Sequence, residues 1–348
     1  MKIFITGGAG FIGANVAAHH MRSGHEVIVF DDLSRAGTRG NLAWLVQHRE
    51  GKVTFVNGDV RDYGALQAAL SRDVDIVYHF AAQVAVTTSV REPRQDFEIN
   101  ALGTFNVLEA VRQRAPEAIV LYASTNKVYG GMESVEVVEE ETRYGYRDLP
   151  NGISEDQVLD FHSPYGCSKG AGDQYVRDYA RIYGMRTVVM RQSCIYGTRQ
   201  FGVEDQGWIA HFCICARLGN PITIYGDGKQ ARDALWIDDL IAAYEAAANQ
   251  IARTSGQIYN VGGGPQHSVS IWKEFGALLE CLSGRALQVT YKDWRPGDQP
   301  VYISDIRKAA RDLGWQPQVT LESGVERLWR WVDSNVHLFE DSAHREAG

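Results

Sequence analysis

A chain of 348 residues, 45% hydrophobic and 22% charged, has the length for one large domain carrying a smaller one. A net charge of −8, with no basic stripe interleaved with aromatics, excludes a phosphate backbone, so no nucleic-acid partner is expected. No apolar run approaches the ~20 residues of a membrane span and no leader pattern precedes the first strand, so a cytoplasmic protein with no membrane partner is expected.

In chain order, residues 3–5, 27–30, 53–56, 76–78, 119–122 and 187–190 are brief runs of β-branched and aromatic side chains. Such runs read as strands buried on both faces of a parallel sheet. Residues 11–23, 63–70 and 97–114 carry the helical pattern between them. Strand and helix in alternation predict an α/β fold, a doubly wound parallel (Rossmann) sheet with a smaller C-terminal substrate-binding part. After Arg191 the alternation loosens and Gly, Pro and Asp become frequent, as at 226–228, 262–265 and 295–298. The expected division is a sheet domain over 1–190 with a return near 233–249, a substrate part over 191–339, and a flexible polar tail over 340–348. Residues 131–162 hold few apolar positions and predict a surface excursion, serving as a lid or a partner contact.

Cys167, Cys194, Cys213, Cys215 and Cys281 are odd in number and form no CxxC pair, so buried reduced thiols are expected. No histidine spacing matches a zinc motif, and no metal is predicted.

Gly7, Gly8, Gly10 and Gly13 follow the first strand and open a helix. Glycine suits a turn that needs positive φ and close backbone approach to a pyrophosphate, which the helix N-terminus then faces. A tight strand-to-helix connection would also use them. Asp31, ending the second strand, stands at the ~20-residue distance expected of a carboxylate on ribose hydroxyls. It would repel a 2′-phosphate, which favours NAD over NADP, with Arg35 nearby pointing the other way. Asp59 ends the third strand, either beside an adenine or as a plain turn residue after Gly58.

Tyr165 and Lys169 lie one helical turn apart, and Pro164 suits the first turn of that helix. A phenol titrates near ~10, and lowering that by about 3 units to make a base takes roughly 4 kcal/mol. A neighbouring ammonium together with a nicotinamide cation could supply it. Ser124 and Thr125 follow the strand at 119–122, at the end where α/β folds bind ligands, and offer hydroxyls to a reacting sugar oxygen. Chance spacing on an exposed helix and simple turn capping are the bland alternatives.

With Gly7 to Gly13, Asp31, the segment 80–83, Asn100 to Thr104, Ser124, Thr125, Tyr165 and Lys169 in this order, the chain resembles the extended short-chain dehydrogenase/reductase family over nearly its whole length. The resemblance implies catalysis by Thr125, Tyr165 and Lys169 with Ser124 in support. It implies NAD held by Gly7, Gly10, Phe11, Ile12, Gly13, Asp31, Ser34, Arg35, Asp59, Val60, Ala81, Gln83 and Asn100, with Tyr165 and Lys169 alongside. Thr87, Thr125, Arg232 and Arg295 would meet a nucleotide-sugar substrate, the two arginines at its phosphates. Pairing through residues 97–114 and 164–183 would make a homodimer.

Within that family the segments 83–89, 124–130, 159–166 and 199–201 are most similar to the CDP-sugar 2-epimerase branch. Sister dehydratases place Asp-Glu after the catalytic Thr, where this chain has Asn126 and Lys127, and sister 3,5-epimerases place a Cys in that loop, absent here. The implied activity is inversion of a sugar carbon through transient oxidation, at C2 of a CDP-hexose. The rivals are 4-epimerisation of a UDP- or GDP-hexose or hexuronate, a net oxidoreductase with exchangeable NAD, and a cofactor-sensing regulator without turnover.

Overall fold

The computed structural model describes residues 1–47, 51–295 and 297–343. Five parallel strands, β1 (Lys2–Thr6), β2 (Glu26–Asp31), β3 (Lys52–Asn57), β4 (Ile76–His79) and β5 (Ile119–Thr125), are joined by Arg186–Gln192 and Gln257–Val261 into one seven-stranded sheet. Read across the sheet, the order is Gln257–Val261, Arg186–Gln192, β5, β4, β1, β2, β3, so the winding reverses beside β1. A crevice opens where it reverses, outside the C-terminal ends of the strands. Thr6 pairs Phe30 on one side and His79 on the other, which sets the ends of β1, β2 and β4 level around it.

Helices α1 (Phe11–Arg22), α2 (Thr38–Gln47), α3 (Tyr63–Ala69), α4 (Val86–Arg91), α5 (Pro93–Phe97), α6 (Gly103–Arg114) and α7 (Ser163–Tyr183) connect and cover the strands. The helix expected over 97–114 is interrupted at its start by a π-turn, Glu98–Leu102. That wide turn carries Asn100 in toward Gln83, to which its side chain donates at 2.9 Å. The chain returns to the sheet through the helix Ile237–Asn249 and the strand Gln257–Val261, so the return extends past 249.

The remaining strands form small sheets over the same crevice. Ala231–Trp236 pairs Cys194–Tyr196, Ser268–Ser270 and Val301–Tyr302, and Ile222–Tyr225 pairs Val289–Lys292. One continuous apolar core joins Ile3, Ile5 and Val29 of the large sheet to Phe212, Leu240 and Leu328 of the later part.

Residues 131–162 run mostly on the surface, as expected, yet they are strapped down. Arg143 binds both carboxylate oxygens of Glu274, Tyr144 donates to Asp227 at 2.6 Å, and Lys229 bonds Glu139 at 2.7 Å. Two expectations need correction. Only Cys213 and Cys215 are buried, whereas Cys167 and Cys281 are exposed; all five are free thiols. The tail is not wholly irregular, because 340–343 complete the helix His337–Ala343, with 344–348 outside the described residues. Among the described residues no helix is long and apolar enough to cross a membrane, and no cluster of metal-ligating side chains occurs.

Candidate active site

The glycine turn builds the floor of the crevice. Gly7 adopts φ +65°, and a Cβ there would lie 2.6 Å from the Ala81 amide nitrogen, so no other residue fits. A Cβ on Gly13 would stand 2.2 Å from the Gly7 carbonyl oxygen, which is how α1 can dock so near the turn. Gly10 differs: its Cβ would meet only the Gly7 carbonyl oxygen, at 3.1 Å, and otherwise project into open space. Gly10 also caps α1 without a side-chain hydrogen bond, so the amides from Phe11 to Gly13 have no intrahelical acceptor. Free amides and an unopposed helix dipole beside open space suit a pyrophosphate.

A cavity of about 230 Å³ lies over this turn. Gly7, Gly10, Phe11, Ile12, Gly13, Asp31, Ser34, Arg35, Asp59, Val60, Ala81, Ser124, Tyr165 and Lys169 all line it, which brings most of the expected residues to one place. Asp31 accepts from the amides of Ala9 at 2.9 Å and Leu33 at 2.8 Å, which fixes its carboxylate at the cavity edge. Burial pushes its carboxyl above the ordinary carboxylate range, against the pull of those amides. Asp59 is both turn residue and wall: its two oxygens accept from the backbone and guanidinium of Arg61. The donor and acceptor set fits an adenine dinucleotide.

Gln83 and Asn100 are not on the cavity wall. Asn100 stands behind Gln83, accepting from its amide at 3.1 Å and so holding the loop after β4 in place. Sequence reasoning missed the opposite wall, formed by Arg199, Gln200, Phe201 and Gln206. Asn41 ties it across by donating to the carbonyls of Ala9 and Arg199, both at 3.2 Å, and Arg35 reaches Gln206 at 3.2 Å. The segment 199–201 carried part of the family likeness, and that was the signal available.

Tyr165 and Lys169 are 8% and 4% exposed, on the face of α7 that meets the end of β5. Lys169 Nζ donates to the Ala123 carbonyl at 2.6 Å and sits 4.2 Å from the centre of the Tyr122 ring. Burial drives its ammonium down from 10.5 to about 7, with Asp173 and Asp96 opposing. Burial pushes the phenol of Tyr165 up to about 12, with the Thr125 hydroxyl pulling the other way. The sequence-based expectation of a lowered phenol is therefore not met by these residues alone. Lys169 spends its charge on Ala123 and Tyr122 instead.

Ser124 is also placed differently from a substrate donor. Its hydroxyl donates to Asp173 at 2.7 Å, and Asp173 is clasped by both Nε and Nη2 of Arg191, each at 2.9 Å. Of the expected substrate contacts, Thr125 follows the wall residue Ser124 and donates to Asn126 at 3.3 Å, and Thr125, Thr87, Arg232 and Arg295 all stand off the cavity wall. Thr87 donates to Asp205 at 2.8 Å and Arg295 pairs with the same carboxylate at 3.0 Å, which brings both to one rim. Arg232 lies apart, bonded to Asp298 at 2.7 Å.

The sequence profile of the GDP-mannose 4,6-dehydratase family matches residues 4–328. A CDP-paratose 2-epimerase from Salmonella typhi is 44% identical over 340 residues, covering 96% of this chain and 100% of that protein. The UDP-glucuronic acid 4-epimerase of Bacillus cereus, solved with UDP-glucuronic acid and NAD, superposes with a TM-score of 0.81 at 29% identity, over 96% and 99% of the two chains. A dTDP-glucose 4,6-dehydratase of Streptomyces venezuelae, solved with NAD, gives 0.83 at 30% identity over 98% and 99%. With this match along the chain and this crevice, the protein belongs to the GDP-mannose 4,6-dehydratase family of extended short-chain dehydrogenases/reductases.

Proposed function

We propose that this protein is an NAD-dependent nucleotide-sugar epimerase that inverts one carbon through a bound ketose, and that its substrate is a CDP-hexose inverted at C2. The observation that carries this reading is the single cavity shared by the glycine turn, Asp31, Ser124, Tyr165 and Lys169. The 44% likeness to a 2-epimerase supports the choice of carbon. Asn126 and Lys127 stand where the dehydratases of the family have their acid and base, which argues against loss of water.

Gly7 to Gly13 would hold the cofactor pyrophosphate, Asp31 the adenosine ribose, and Asp59 with Val60 the adenine side. NAD bound there would supply the acceptor for the sugar's hydride and the donor for its return to the other face. Thr125 orients the reacting hydroxyl, and Tyr165 removes its proton and later returns it. Lys169, one turn from Tyr165 on α7, would lend positive charge to the phenolate once the ligands are bound. Arg232 and Arg295 would meet the phosphates, and Thr87 the sugar rim. Exposed Phe97, Leu102, Phe105, Tyr175, Ile182 and Tyr183 on α5 to α7 and the π-turn support pairing of two copies through these helices. The proposed compartment is the cytoplasm.

The test is incubation of the purified protein with CDP-, UDP- and GDP-hexoses in deuterated water, with products read by proton NMR. Inversion at C2 of the CDP-sugar with protium retained there is the expected result. Inversion at C4 of a UDP- or GDP-sugar would replace this reading with the 4-epimerase. Stoichiometric release of reduced cofactor, or deuterium at the inverted carbon, would overturn direct hydride return.

A further inference from the structure

Lys127 is a part-buried cation that the proposed proton and hydride transfers do not use. It stands two residues beyond Thr125, on the short turn Asn126–Tyr129, whose amide at Lys127 is capped by the Thr125 hydroxyl at 3.2 Å. Its backbone is thus tied to the residue proposed to hold the reacting hydroxyl. The side chain extends to Gln299, just before the strand Val301–Tyr302. There Nζ makes a long 3.4 Å hydrogen bond to Oε1 of Gln299.

The surroundings are rigid and positive. Gln299 is buried and fixed by its own bonds, Nε2 to the Gly130 carbonyl at 2.5 Å and N to Asp298 at 3.0 Å. Arg232 donates to Asp298 at 2.7 Å and to the Gln299 carbonyl at 2.6 Å. Among the described residues, the charges that face Lys127 are Arg232 and one carboxylate, Asp298, with the thiol of Cys194 beside them. Burial first, and then Arg232, pull the Lys127 ammonium below its ordinary range. Two cations against one carboxylate leave positive charge in a partly desolvated place, which an anion there would offset. An ammonium has three donors, and one long bond to a neutral amide leaves capacity for such an anion.

The position of the anion follows from the connectivity of a nucleotide sugar. The phosphoryl group sits on the anomeric oxygen, vicinal to the C2 hydroxyl, whereas the C4 hydroxyl lies across the ring. A cation two residues from Thr125 can reach that phosphoryl group while C2 is at Thr125. With C4 there, the phosphate is carried a ring's width away. We propose that Lys127, alongside Arg232, binds the phosphoryl group attached to the anomeric carbon and thereby sets C2, not C4, as the carbon oxidised. This rests on the epimerase reading above and adds the residue that fixes its register.

The experiment compares Lys127→Met, Lys127→Gln and Lys127→Arg with the wild-type protein. Affinities for CDP and CMP are measured by calorimetry, and the inverted carbon of CDP-hexoses is read by NMR. Loss of one charge-assisted hydrogen bond predicts CDP binding weakened roughly tenfold or more in the Met and Gln variants. CMP, which lacks the second phosphate, should shift less than about twofold, and the Arg variant should recover most of the CDP affinity. Equal weakening of CDP and CMP, or unchanged CDP binding in both neutral variants, overturns the subsite. If the wild-type protein inverts C4 while the CDP-selective loss persists, the register argument fails and the phosphate contact survives. If the wild-type inverts no nucleotide sugar, it is the epimerase reading that fails.

Discussion

Replacing Lys169 by Met should stabilise the cofactor-free protein while ending turnover. The ammonium is 4% exposed and burial takes it from 10.5 to about 7. The unfolded chain keeps its proton up to pH 10.5, the folded chain only to about 7, so stability rises with pH between those values. The shift amounts to about 5 kcal/mol of burial cost, fully present below about pH 7 and relieved as pH climbs toward the unfolded value. Met fills similar volume without the charge, and forfeits about 1–3 kcal/mol by leaving the Ala123 carbonyl unpaired. The variant should then be about 2–4 kcal/mol more stable near pH 6. Its advantage should shrink by about 2.5 kcal/mol on moving to about pH 9, whatever the carbonyl costs. Guanidinium denaturation of both proteins at the two pH values measures this difference directly. A gap that does not change with pH, or a variant less stable than wild type near pH 6, refutes the argument that the buried ammonium is a stability cost borne for catalysis.

Tyr165→Phe removes the proposed proton carrier, and turnover should fall by about 10²–10⁴ while bound NAD, measured after denaturation, stays unchanged; activity above a few per cent would displace Tyr165 from that role. Asp173→Asn leaves the Arg191 guanidinium, 2% exposed, without its counter-charge and should cost about 3–5 kcal/mol in denaturation experiments. Gly13→Ala sets a Cβ 2.2 Å from the Gly7 carbonyl. The turn must open, so the protein should purify without NAD, and full occupancy would contradict the proposed pyrophosphate cradle.

The parts legible in the sequence are those whose physics is local. Strands such as Ile76–His79 are buried from end to end, and a continuous apolar run is what double-sided burial requires. The glycine turn is dictated by backbone crowding within a few residues, and Tyr165 and Lys169 by one turn of one helix. What was not legible depends on chain segments far apart. The Arg199 to Gln206 wall faces Gly10 only after some 190 intervening residues have folded. Neither the buried clasp of Arg191 on Asp173 nor the diversion of Ser124 into it follows from spacing, because the partners come from a helix and two strands. The upward shift of the Tyr165 phenol was unforeseen for the same reason: desolvation is set by everything that packs around a residue, and the spacing to Lys169 says nothing of it.

Lys169 loses its proton readily even with a carboxylate on its own helix face. Tyr165, Lys169 and Asp173 repeat every four residues along α7, so phenol, ammonium and carboxylate stack on one helix face. Here Arg191 occupies one side of both carboxylate oxygens and Ser124 adds a donor to one of them. Asp173 remains the largest influence raising the Lys169 ammonium, and burial still outweighs it. The cofactor-free cleft thus holds a phenol at about 12 and an ammonium at about 7, separated in the direction opposite to what proton abstraction by Tyr165 needs. Activation of Tyr165 must then come from charge brought in with the ligands. In the proposed reaction, proton abstraction cannot run ahead of cofactor and sugar being bound together.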